Sequence, residues 1–421
     1  MKSFLNISLF CISTILYGHN IQAQAGGGNA RSQALAGAYS ALARGAEVSA
    51  WNPAKLGLQS SPRFSLILFG AGFNVENSSL SVADYKNYNG KFLTADDKRI
   101  IMQKIPGSGF GLRLKAGAQA LSFSVGRFAI SAGMIAASNI RFSREFVDLA
   151  FYGNEPERIY DLSQTGGKGY GVADFSLSYG QPIQITFFQE SAVGFTAHYF
   201  QGISSAEILS ASGTLLTDRL GLHAKGEAVM RTALGGSGYA FDLGVAGSLS
   251  PGWTLSMALK NVVSRIGWNK DVKIFTWGAV ADSIDAERLA GADDVDDLII
   301  NYDSEIAGED FHYGLPTRLT IGAVHKNGSF DYAVELSKGF SNGPATSTKA
   351  ELATGVEYTG IGFLPLRAGI AFGGTAGVVT GMGFGIKFRN VSLNFAAQAA
   401  KAALPGQGQG IGLAFDMKVG I

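Results

Sequence analysis

Residues 318–338 read RLTIGAVHKNGSFDYAVELSK, two stretches of period two joined by a single turn. Leu319, Ile321 and Ala323 alternate with Arg318, Thr320 and Gly322; beyond Asn327-Gly328, Tyr332, Val334 and Leu336 alternate with Asp331, Ala333 and Glu335. Successive side chains of a strand point to opposite faces, so each stretch has one apolar face and one that is small, polar or charged. Asn-Gly is the turn chemistry that reverses a strand within two residues. The unit recurs at Phe175, Leu177 and Tyr179, which alternate with Asp174, Ser176 and Ser178. From Arg63 onward, alternating segments of roughly ten residues succeed one another, as transmembrane strands do. A soluble sandwich, with its apolar face inward, has the same period, so the connections must discriminate.

Those connections come in two kinds. Gly126-Arg127, Ser250-Pro251-Gly252, Asn327-Gly328 and Arg389-Asn390 are tight links. Residues 75–107, 139–167, 204–236 and 269–313 are far longer than hairpins of compact domains use. Short turns at one end and long outer loops at the other predict an outer-membrane barrel. Strands starting near 63, 109, 128, 170, 191, 238, 253, 315, 329, 348, 366, 378, 391 and 408 number about fourteen. The stretch 204–236 is ambiguous, because Ile208–Leu216 and Leu222–Thr232 fit either extensions of neighbouring strands or a further hairpin.

Composition agrees. Glycine is 57 of 421 residues, nearly twice the usual ~7%, and charged residues are 16% against ~25%. The net charge of +1 removes the electrostatic term on which nucleic-acid binding depends. No apolar run beyond the N-terminus is long enough for a spanning helix, which leaves strands as the way through a membrane. Residues 1–25 read as a secretory signal, with Lys2, an apolar core from Phe4 to Tyr17 and Ala23-Gln24-Ala25 as cleavage site. The one cysteine, Cys11, falls inside it, so the exported chain would carry no thiol.

Residues 26–62 are unlike the rest: Ala34–Ala46 favours helix, and Pro53 forces a break directly after Trp51-Asn52. Here Arg31–Leu58, RSQALAGAYSALARGAEVSAWNPAKLGL, resembles the opening of the FadL-like outer-membrane superfamily, in which an Ala/Gly-rich stretch runs into a WNPAGL motif. Lys55 stands where the motif commonly has glycine. Leu315–Leu319 (LPTRL) and Leu366–Gly369 (LRAG) resemble strand starts of that superfamily. Segments 92–106 and 146–154 resemble loop helices of an uncharacterised, Bacteroidetes-like branch. The resemblance implies an all-β, membrane-spanning antiparallel barrel, residues 63–421, with 26–62 as a helical plug bearing Trp51, Asn52, Pro53 and Ala54. It implies residence in the outer membrane of a Gram-negative-type bacterium among lipid and lipopolysaccharide. Characterised branches carry fatty acids and aromatic hydrocarbons, or, in the secretion-associated PorV-type branch, deliver protein cargo. The expected function is therefore passage of hydrophobic, long-chain fatty-acid-like molecules, and the alternative is an accessory barrel that binds secretion-machinery proteins through its outer loops.

Candidate residues emerge from the alternation. Phe64, Ile67 and Phe69 make the first strand apolar on both faces beside the plug, either as a ligand wall or as plain packing. Arg113, Lys115, Asp174, Asp242, Arg318, Asp331, Glu335, Glu351, Glu357, Arg367 and Lys387 are expected inward, where charges must be paired with one another or with Arg31, Arg44 and Glu47 of the plug. Of these, Arg318, Arg367 and Lys387 are candidates to receive a ligand carboxylate. Residues 282–310 hold eleven acidic side chains and one arginine. Asp293, Asp294, Asp296 and Asp297 invite a divalent cation, but Leu298 and Ile299 occupy EF-hand ligand and glycine positions, and a solvated acidic loop explains the run. His198, His223, His312 and His325 have no metal-ligand or catalytic spacing. The chain is therefore read as no enzyme and as needing no cofactor.

Overall fold

The structure, a computed structural model, describes residues 29–249, 252–292, 298–402 and 407–420. The expected signal, the Ser250-Pro251 turn residues and the acidic quartet Asp293, Asp294, Asp296 and Asp297 lie outside them. The strands are β1 (Phe64–Asn77), β2 (Phe110–Val125), β3 (Phe128–Phe142), β4 (Tyr160–Asp161), β5 (Gly166–Ile183), β6 (Glu190–Asp218), β7 (Gly221–Ala233), β8 (Gly236–Leu249), β9 (Trp253–Trp268) and β10 (Lys273–Ile284). They continue with β11 (Ile300–Ala307), β12 (Phe311–Tyr313), β13 (Arg318–Asn327), β14 (Phe330–Gly339), β15 (Glu351–Tyr358), β16 (Leu366–Gly373), β17 (Gly377–Phe388), β18 (Val391–Ala400) and β19 (Gly410–Gly420).

The wall is a closed ring of fourteen antiparallel strands: β1, β2, β3, β5, β6, β8, β9 and β13 through β19, with β1 bonded to both β2 and β19. Closure leaves no edge strand to satisfy, which a membrane requires. The ambiguous stretch does both things it could. Ile208–Leu216 continues β6, and Leu222–Thr232 returns as β7. β6 thus forks: Glu190–Gly202 pairs with β8 in the ring, whereas Ser205–Asp218 pairs with β7 above it. β7 pairs with β10 and β10 with β11, so a subsidiary sheet stands on the rim.

On the outer wall, alternate positions such as Leu177, Phe195, Leu243, Ile321, Val334, Leu336, Leu352 and Leu413 are exposed. The residues that alternate with them along each strand and point inward are glycine, alanine, serine, threonine or acidic, the inverse of a soluble core. Aromatic pairs Phe128–Tyr179 and Phe330–Tyr358 sit at the tight-turn end, at 4.8 Å each. Tyr170, Trp268 and Tyr313, which also fall near strand ends, instead point into the lumen and pack together with Phe200 and Ile266. Strand-end position alone did not distinguish these two directions.

Residues 29–62 run through the lumen and are mostly buried. α1 (Ala30–Ala34) is capped by the Asn29 side chain, which accepts from Ser32 N at 2.8 Å. Two 3-10 turns come next, Gly45–Ala50 and Pro53–Gly57; Asn52 caps the second by accepting from Ala54 N at 3.0 Å. Three helices, α2 (Val82–Tyr88), α3 (Ala95–Lys104) and α4 (Arg144–Tyr152), lie in the long connections, with Ile101, Met102 and Ile105 packed against Val147 and Phe151. A short helix, α5 (Ala286–Gly291), comes after β10.

Candidate functional site

The barrel has three environments: the seat of the N-terminal segment in the lumen, a polar vestibule above it, and an apolar cavity at the rim. The seat is built first by what the wall omits. A Cβ at Gly194 or Gly244 would overlap Ala54 N or Asn52 Oδ1, and one at Gly369 or Gly381 would overlap the backbone of Leu35 or Gln33. Glycine in these inward positions lets backbone lie on backbone. Asn52, fully buried, then donates from Nδ2 to Ser256 Oγ at 2.8 Å, Val245 O at 3.0 Å and Met257 O at 3.1 Å, stitching the segment to β8 and β9.

Buried carboxylates make the other attachments. Glu335 of β14 accepts from Tyr39 N at 3.0 Å and Ser40 N at 2.7 Å, and Asp416 of β19 accepts from Ala30 N at 2.8 Å. Glu357 of β15 pairs with Arg31 at 2.6 Å and with Arg367 at 3.4 Å. Glu47 accepts from Asn29 Nδ2 at 2.6 Å and Tyr39 OH at 2.7 Å, and is bridged by Lys418. Burial works against the Glu47 charge, but Lys418 and Arg31 outweigh it and hold this carboxyl below its ordinary value. Lys55 is 3% exposed; burial and the nearby Arg44 push its ammonium down to about 7. Across the lumen, His198 lies between Asp174 at 2.9 Å and Asp242 at 3.3 Å, and Lys260, 3.9 Å from Asp242, donates to Ala50 O at 2.7 Å.

Above the segment lies a vestibule of about 750 Å³, lined among others by Glu76, Arg113, Arg141, Lys168, Glu207 and Lys349. A chamber of about 140 Å³ continues it down to Ser32, Gln33 and Trp51, past Lys115, Arg318 and Glu351. At the rim, Ile140, Phe142, Phe146, Ala206, Ala211, Ala228, Met230 and Trp277 enclose a cavity of about 110 Å³ that is almost wholly apolar. Ile140, Gly167, Lys168, Glu207 and Ile208 belong to the linings of both the rim cavity and the vestibule, which adjoin on either side of β3, β5 and β6. A further opening of about 480 Å³ at the tight-turn end is lined by Arg44, Glu47, Ile67, Lys387, Arg389 and Lys418.

The residues expected to form one ligand site are dispersed over these environments. Arg318 lines the vestibule chamber, donating to Ser337 Oγ at 2.7 Å and lying 3.9 Å from Glu351. Arg367 is buried in the seat, held by Glu357 and by Asn394 Oδ1 at 2.9 Å. Lys387 and Ile67 meet at the opposite end. Phe64 and Phe69 belong to the outer wall, where Phe69 is 45% exposed and stacks at 5.2 Å on Phe415. The reason is a bulge: Ile67 faces Ser122 and Phe69 faces Ala120, so Leu68 and Leu121 drop out of the ladder and the inward series shifts by one. Trp51 is half-buried, edge-on to Tyr39 at 5.2 Å, while Asn52, Pro53 and Ala54 are buried against β5, β6 and β8.

Asp416 and Lys418, which hold Ala30 and Glu47, were not among the candidates. Their signal was present in the same alternation, since they continue the series of Gly412 and Ala414 on the inward face of β19. Among the described residues no group of three or more His, Cys, Asp or Glu side chains is arranged to hold a metal.

A closed fourteen-stranded ring with an occupied lumen is the fold of FadL-type outer-membrane transporters. The Pseudomonas putida toluene transporter TodX matches at a TM-score of 0.55 and 13% identity, over 94% of this chain and 99% of that one. A Pseudomonas aeruginosa FadL homologue matches at 0.52 and 12%, over 94% and 99%. The Ralstonia pickettii toluene transporter TbuX matches at 0.50 and 15%, over 96% and 99%. At these identities the likeness is one of fold. By sequence, the chain belongs to a family of unknown function, DUF5723, whose model matches residues 53–398. No curated protein matches it by sequence.

Proposed function

We propose that this barrel is a channel in the outer membrane of a Gram-negative-type envelope and admits small hydrophobic or amphipathic molecules, with residues 29–62 as a plug. The observation that carries this reading is the apolar cavity at the rim, beside the mouth of the vestibule. An apolar solute gains roughly 25 cal/mol for each Å² it removes from water, so such a cavity concentrates it at the mouth. That several solved barrels of this fold are described as toluene transporters or FadL homologues supports the reading. Passage requires the plug to move, because the Asn52 and Glu335 contacts close the lumen below the vestibule. The secretion-partner reading has no supporting observation and is not carried further.

Trp277 lines the cavity, so its fluorescence should report occupancy by a neutral solute such as 1-decanol in nanodiscs. Ala228→Trp, which fills the cavity, should abolish that response and slow uptake of the solute by cells. Saturable binding that is unaffected by Ala228→Trp, or uptake identical in a deletion strain, would sink the reading.

A further inference from the structure

The chain carries a net charge of only +1, yet its charges are sorted. Facing the vestibule and chamber are seven cations and three carboxylates, the latter being Glu76, Glu207 and Glu351. All three carboxylates are spoken for: Glu76 by Arg113 at 3.4 Å, Glu207 by Arg231 at 2.7 Å and Lys168 at 3.6 Å, and Glu351 by Arg318 at 3.9 Å. Lys401 donates to Asn77 O. Lys115, Arg141 and Lys349 have no side-chain partner among the described residues. Two of these, Lys115 and Lys349, converge with Arg113 and Arg318 around one recess of about 60 Å³, where Glu351 is the single opposing charge. Ser337, Thr346 and Ser347 supply hydroxyls to the same recess. The acidic side chains that balance the total lie elsewhere, exposed on the rim at Asp282, Asp303, Glu305, Glu309 and Asp310.

A concave surface of one sign, walled by low-dielectric barrel, concentrates ions of the other sign. Packing so many cations around a volume the size of a few atoms is unfavourable unless an anion is present. A single carboxylate would neutralise one of the unpaired ammonium groups and leave the recess strongly positive. A tetrahedral dianion offers more oxygens than a carboxylate, enough for two lysines, Arg318 and the hydroxyls at once. We infer that this recess binds a compact, multiply charged oxyanion, a phosphate or sulfate, carried as the headgroup of an amphiphile. That an amphiphile carries it rests on the function proposed above; recognition of the oxyanion does not.

The test compares 1-decanol, decanoate, decyl phosphate and inorganic phosphate, titrated calorimetrically into the full chain in nanodiscs of zwitterionic lipid. Decyl phosphate should bind at least tenfold tighter than decanol or decanoate, and the difference should shrink as salt rises from 0.05 to 0.5 M, following roughly the screening of an exposed charge. The triple variant Lys115→Gln, Arg318→Gln, Lys349→Gln should lose that advantage and bind decanol unchanged. Glu351→Gln, which alters shape least, should tighten decyl phosphate about threefold, a gain that damage to the fold would not produce. Competition by inorganic phosphate would assign a free oxyanion as well as a lipid; tight decyl phosphate without competition would assign a phosphorylated or sulfated lipid alone. Decyl phosphate binding no tighter than decanol overturns the inference and leaves the transport reading standing. Binding of phosphate and decyl phosphate without any of decanol does the reverse.

Discussion

Replacing Asn52 with alanine should unseat the plug while leaving the barrel closed. The side chain is fully buried and holds one accepted bond, from Ala54 N at 3.0 Å, and donates from one amide nitrogen to three acceptors on β8 and β9. Two amide protons can serve only two of those acceptors well, and the bond from Ala54 N lies within the plug, so about two docking bonds are lost. At about 1 kcal/mol net for each, docking weakens by about 2 kcal/mol, or roughly 30-fold in the seated-to-unseated ratio. The barrel ladders of β8 and β9 are backbone bonds that the substitution does not touch. Ser40, fully buried beneath the plug's contact with Glu335, is the reporter: as Ser40→Cys, with Cys11→Ser to make it unique, it should react with a maleimide only when the plug leaves. Labelling in Asn52→Ala should accelerate roughly 30-fold at unchanged heat-modifiable migration. An acceleration below about threefold would show that the Asn52 contacts do not hold the plug, and that the reasoning from hydrogen bonds is wrong.

Gly244→Ala places a methyl group on Asn52 Oδ1 and should accelerate the same labelling, whereas Gly328→Ala in a turn should leave it unchanged although its φ is +57°. Glu47 is held ionised below its ordinary value of 4.5, so its contribution is fully present above that pH and disappears as pH falls through the lowered value. Plug labelling corrected for thiol reactivity should be flat from pH 6 to 5 and rise below 4, and Glu47→Gln should reduce the rise and label faster throughout. Lys55 has the opposite dependence: its ammonium is lowered from 10.5 to about 7, so an unseated, solvated Lys55 binds the extra proton between those values and seating strengthens as pH rises from 7 to 10.5. The ratio of labelling rates, parent over Lys55→Met, should fall across that range; a constant ratio would refute the burial argument. Glu357→Gln, which leaves Arg31 of the plug buried without its carboxylate, should weaken plug docking by about 3 kcal/mol, read by the same reporter.

Strand number and connection lengths were legible because a membrane wall imposes a strict period of two and a strict economy of turns. The fourteen expected starts fall within four residues of the fourteen ring strands, from 63 against Phe64 to 408 against Gly410. The pairing of inward charges with Arg31 and Glu47 was legible for the same reason, since a charge inside the ring must meet another. Phe69 was placed on the wrong face of the ring because alternation is counted along one strand, and the bulge at Leu68 is visible only when β1 is laid beside its neighbours β2 and β19. Arg318, Arg367 and Lys387 look alike in sequence, each a cation on an inward position. They lie in the chamber, in the plug seat and at the far opening, and only Arg318 faces the recess proposed to take an anion.

Sequence by itself determined the wall: period two, tight turns alternating with long excursions, and a glycine excess with low charge are local properties that any reading of the chain recovers. It also marked Arg31–Leu58 as a separate element. The tertiary structure decided what the glycines are for and where the charges go. Gly194, Gly244, Gly369 and Gly381 are scattered over 188 positions of the chain, and only ring closure brings them under one buried segment. Lys115, Arg318 and Lys349 likewise come together because β2, β13 and the residues before β15 face one another across the lumen. Closing a sheet converts a one-dimensional alternation into an interior, and which residues meet inside depends on strand order, bulges and the fork of β6, none of which the alternation encodes.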